Sequence, residues 1–66
     1  KIPKVHVDYL GKKNPYIKDA VQTLTAGNVP LTSQKLMQEL SFMVTDKTMT
    51  MDEYNDAKDL VFQTLA

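Results

Sequence analysis

The chain of 66 residues has no cysteine and no arginine, and His6 is its one histidine. Without cysteine there is neither a disulfide nor a thiolate metal site. A single imidazole does not build a zinc centre, so neither metal nor cofactor is expected. A core of this size rarely supplies more than about 3–5 kcal/mol without a staple. Stability therefore has to come from helix packing or from another chain. The lack of cysteine also fits a reducing compartment, and the cytoplasm is the expected location. Arginine provides the planar fork that reads guanine and clamps phosphate at two points. Its absence leaves lysine as the only strong cation and argues against sequence-specific DNA recognition. No apolar run approaches the roughly 20 residues needed to cross a bilayer, no signal peptide is visible, and a membrane is not an expected partner.

What is present is an uneven distribution of charge. Residues 1–18 carry five lysines (Lys1, Lys4, Lys12, Lys13, Lys18) against one acid, Asp8, a net +4. Residues 19–66 carry three lysines against seven acids (Asp19, Glu39, Asp46, Asp52, Glu53, Asp56, Asp59), a net −4. A formal charge of zero thus conceals a basic start and an acidic remainder.

In the basic segment Val5, Val7 and Tyr9 alternate with Lys4, His6 and Asp8. This period of two predicts a half-buried strand or an extended arm over residues 1–13, with Pro3 at its edge. Helical patterns follow. Asn14-Pro15 has the form of an N-cap and first helical residue; Tyr16, Ile17, Ala20, Val21 and Leu24 then form a stripe that ends at Gly27 and Pro30. A second helix starts at Thr32 or Ser33, with Leu31 and Leu36 placed as a hydrophobic staple. Its stripe is Leu36, Met37, Leu40, Met43 and Val44, and it ends near Thr45-Asp46. A third helix opens on Thr50 and Glu53, which have capping-box spacing, flanked by Met49 and Tyr54. The expected fold is all-α: a small three-helix bundle over residues 14–66 behind a basic, extended arm over residues 1–13.

A nucleophile needs a base held by a third group; His6 and Asp8 would share one face of a strand, but nothing else joins them. Aligning Asp46 as the first residue of a calcium loop puts Met51 at the glycine position and Ala57 at the bidentate acid position, and both fail. A helix-turn-helix would place the acidic third helix against phosphates, which repel it. A ribbon-helix-helix dimer has the right order, a strand and then helices, but its reading face would carry Asp8 and no arginine. Met37, Met43, Met49 and Met51 suit either an adaptable core or an adaptable surface.

The expectation is a non-enzymatic protein–protein interaction module, a regulator or adaptor. It would self-associate as a homodimer through an apolar helix face formed by Phe42, Met43, Leu60 and Phe62. The alternative is non-specific nucleic-acid binding by Lys1, Lys4, Lys12, Lys13 and Lys18.

Overall fold

Asn14 separates two helices, not an arm from a helix. The computed structural model describes residues 2–65, which form α1 (Lys4–Lys13), α2 (Pro15–Ala26), α3 (Ser33–Thr45) and α4 (Met51–Leu65), with no strand among the described residues. The extended arm and the count of three helices are both corrected. The alternation of Val5, Val7 and Tyr9 competes with a second pattern in the same residues: Ile2, His6 and Leu10 recur every four. The helical pattern prevails. Leu10 is fully buried, whereas Val5 is 70% and Tyr9 46% exposed. A lone strand would have left its backbone groups without a ladder; a helix satisfies them internally.

Asn14 ends α1 and starts α2. Its backbone N–H donates to the Leu10 carbonyl at 2.9 Å. Its side-chain Oδ1 accepts from the N–H of Tyr16 at 2.9 Å and of Ile17 at 3.2 Å. Pro15 disfavours a helical conformation at the residue before it, and Asn14 is extended, at φ −142° and ψ 116°. One residue thus makes the corner. Gly27 caps α2, but the left-handed position falls on the next residue, Asn28, at φ 56°. Val29 N–H then reaches back to the Leu24 carbonyl at 2.9 Å, the six-to-one bond of a Schellman ending. The end of α3 repeats this device with Lys47 at φ 69° and Thr48 N–H on the Met43 carbonyl.

The other two helix starts follow their sequence signals. Thr32 Oγ1 accepts from Lys35 N–H at 3.1 Å. Thr50 and Glu53 form a reciprocal capping box: Glu53 N–H donates to Thr50 Oγ1 at 3.1 Å, and Thr50 N–H donates to Glu53 Oε1 at 2.9 Å.

Each helix packs on the next, and α1 closes the ring against α4. The core is Leu10, Ile17, Ala20, Leu24, Leu36, Leu40, Met49, Ala57 and Val61. No charged or polar residue is buried in it. Met49 enters from the loop before α4, opposite the partly buried Tyr54, as its staple position requires.

Candidate interaction surfaces

Winding residues 4–13 into a helix redistributes the basic segment. Lys4, Lys12 and Lys13 stand on α1 and Lys18 on the second turn of α2, all exposed; Lys1 lies outside the described residues. Lys13 Nζ is 5.7 Å from the centre of the Tyr9 ring, within cation–π range. None of the side-chain hydrogen bonds of the described residues involves a lysine ammonium. The helix also overturns two sequence readings. A ribbon-helix-helix strand is absent, and His6 and Asp8, two apart on a helix, no longer share a face.

His6 instead faces Ile2, Pro3, Thr32, Ser33 and Leu65, in the crevice where the starts of α1 and α3 meet the end of α4. Its Nδ1 is buried with no hydrogen-bond partner. Asp46, the acid at the head of the calcium alignment, accepts from Thr48 N–H at 3.0 Å and shapes the turn between α3 and α4. Its carboxyl is held below the ordinary value of 3.8 by hydrogen bonds from Thr48. No group of three or more histidines and acids among the described residues is arranged to hold a metal.

The four expected interface residues divide. Phe42 and Phe62 are 53% and 54% exposed, while Met43 and Leu60 are partly buried against the core. Phe42 sits in the last turn of α3 and Phe62 in the last turn of α4. Leu65 reaches Thr32 and Ser33 at the start of α3, so the two helices run antiparallel and the two rings lie at opposite ends of the pair. They do not form one patch.

A feature absent from the sequence reading is a shallow groove between α1 and α2. Val7, Gly11 and Val21 line its floor, and Asp8, Lys12 and Lys18 its rim. The helices approach closely here: a methyl on Gly11 would stand 3.6 Å from Lys18 Cβ. The available signal was the small residue at position 11 inside a basic, otherwise bulky segment, on the same side as Val7 one turn earlier.

Tyr16 and Glu53 link the starts of α2 and α4. The Tyr16 hydroxyl donates to Glu53 Oε2 at 2.8 Å. The Thr50 backbone N–H, and then the Tyr16 hydroxyl, hold the Glu53 carboxyl below its ordinary 4.5. The same hydrogen bond, then burial and the charge of Glu53, push the Tyr16 hydroxyl above its ordinary 10.0. Two opposite pH dependences follow. The stability contributed by Glu53 is present above the ordinary carboxylate value and is lost as pH falls through its lowered folded value. The stability contributed by Tyr16 is present below 10.0 and is lost as pH rises through its raised folded value. Urea midpoints measured from about pH 3 to about pH 11 are expected to fall at both ends. In Tyr16→Phe the alkaline fall should shrink and the acid fall should lessen without vanishing, because Thr50 N–H still holds the carboxylate. An unchanged alkaline limb would show that this bond does not form in solution.

The fold is all-α, and no helix among the described residues is long and apolar enough to cross a membrane. Compared with protein-family models, with curated proteins and with solved structures, the chain shows no match.

Proposed function

We propose that the chain is a non-enzymatic protein–protein interaction module, a regulator or adaptor working in the reducing cytoplasm, and that it associates with itself. The observation that carries this reading is the set of large apolar side chains left on the outside: Val5, Tyr9, Phe42, Met51 and Phe62. Covering one such side chain is worth about 1.5–3 kcal/mol, so two or three of them at an interface are comparable with the stability of the fold itself. Scattered single apolar residues are ordinary on a protein surface; five in a chain this short, with an all-apolar core already complete beneath them, favour a binding role.

A second reading is favoured by the four exposed lysines of α1 and α2, whose ammonium groups take no part in side-chain hydrogen bonding: binding of a nucleic acid through its phosphates. The two readings separate in solution. Sedimentation equilibrium from micromolar to millimolar protein is expected to show reversible self-association. Fluorescence anisotropy of single-stranded and duplex oligonucleotides at low salt is expected to show none of the steep, salt-sensitive binding that phosphate contacts produce. An ideal monomer at millimolar concentration would overturn self-association. Micromolar oligonucleotide affinity that collapses with added salt would transfer the function to the lysines.

A further inference from the structure

We infer that the groove between α1 and α2 receives the acidic outer face of α4 from a second copy of this chain. Phe62 seats on the Val7, Gly11 and Val21 floor, and Asp56 and Asp59 meet Lys12 and Lys18. The inference rests on the self-association proposed above and names the surfaces that would produce it.

The groove measures about 380 Å³, at the small end of the range for ligand pockets. It has room for a side chain and its neighbours, not for a whole helix. Its floor is apolar because Val7 and Val21 line it, and hollow because Gly11 has no side chain; Val7 also borders a second hollow lined by Ile2, Lys4 and Leu31. Three lysines and a single acid, Asp8, therefore border the two hollows that meet at Val7.

The matching surface is on α4. Asp52, Asp56 and Asp59 fall at i, i+4 and i+7, one stripe on a helix, and all three are exposed. Phe62 follows Asp59 by three residues, close to one turn, and is likewise exposed. The helix thus offers an aromatic knob with Asp59 at i−3 and Lys58 at i−4 beside it and Asp52 and Asp56 further round the outer face, and the groove an apolar socket with ammoniums beside it. Among the described residues Lys12, Lys18, Asp56 and Asp59 make no side-chain hydrogen bond.

Complementary charge selects a second copy over other occupants. A polyanion would satisfy the lysines but leave Phe62 and the groove floor uncovered. A second copy covers both, and with a formal net charge of zero two copies meet no overall repulsion. Each copy carries one groove and one ridge, so pairing closes as a two-fold dimer if both engage and grows head to tail if they do not.

Charge-swap variants test this. Lys12→Glu with Lys18→Glu makes both surfaces acidic; Asp56→Lys with Asp59→Lys makes both basic. All four positions are exposed, and circular dichroism verifies the fold of each variant. Sedimentation velocity is expected to show wild-type association that weakens with salt, and association weakened about tenfold or more in each variant alone, since two attractive pairs become repulsive. An equimolar mixture of the two variants should recover association, because each groove then faces an opposite ridge. Phe62→Ser should also weaken wild-type association. Association unaffected by both reversals would overturn this docking and leave self-association standing. A wild type monomeric at every concentration would overturn both. Oligonucleotide binding lost in Lys12→Glu with Lys18→Glu, without any effect on association, would assign the groove to a polyanion and overturn the docking.

Discussion

Replacing Leu10 by alanine is expected to destabilise the protein by about 2–5 kcal/mol, the range for a buried leucine whose cavity the surroundings fill only in part. Leu10 is fully buried and is the one buried residue of α1. A domain of this size holds roughly 3–5 kcal/mol in all, so the variant should be largely unfolded at 25 °C. Circular dichroism should lose most of its helical signal, and urea melts should lose their cooperative transition. Val5→Ala is the companion measurement. Val5 is mostly exposed, and its truncation should shift stability by no more than about 0.5 kcal/mol. The pair distinguishes a helix from a strand in this segment, since a strand would have put Val5, Val7 and Tyr9 on the packed face. Equal and small effects of the two substitutions would mean that α1 does not dock on the rest of the molecule.

Lys47→Gly is expected to move stability the other way, by about 1 kcal/mol. Lys47 lies at φ 69°, where a side chain bearing a Cβ costs roughly 1–2 kcal/mol. Glycine removes that strain, and the greater freedom of the unfolded chain offsets part of the gain. The Lys47 side chain is exposed and makes no hydrogen bond among the described residues, so no such bond is lost with it. For a domain this small the gain corresponds to a rise in Tm of about 4–8 °C. Calorimetry reads it directly, and an unchanged or lower Tm would show that the turn after α3 relaxes away from the left-handed conformation in solution.

Both variants mark where the sequence was and was not legible. The starts of α2, α3 and α4 could be read because each is signalled by a side chain acting on its own backbone: Asn14, Thr32, and Thr50 with Glu53. Such bonds are local, so a few adjacent residues specify them. The helix ends were readable to within a residue or two, but not which residue takes the left-handed position. Gly27 was available and Asn28 took it; after α3 no glycine was present and Lys47 took it. The first helix was misread because a ten-residue segment with four apolar side chains, preceded by Ile2, satisfies periods of two and of four at once. Only packing against α2 and α4 decides between them, and packing is not local. The same limit applies to the candidate surfaces. Phe42, Met43, Leu60 and Phe62 were all expected on one exposed apolar face; Phe42 and Phe62 are exposed, whereas Met43 and Leu60 pack partly against the core. The separation of the two rings to opposite ends of the helix pair, and the groove beside Gly11, depend on which helices are neighbours.

The closed ring of helices has a consequence for how the chain reaches its native state. Three of its four interfaces join helices consecutive in sequence, across connections of a few residues, and they form with little loss of chain entropy. The fourth, between α1 and α4, brings the first and last helices together and carries the largest loop-closure cost, which grows with the logarithm of the intervening length. Ile2, Pro3 and Leu65 border the same crevice there. Linking α4 to α1 across it and opening the chain in the exposed turn at Gly27 and Asn28 would preserve all four interfaces while making a different one the long-range contact. The order in which the helices come together is thus a property of where the chain is cut, whereas the arrangement they reach is a property of the faces they bury.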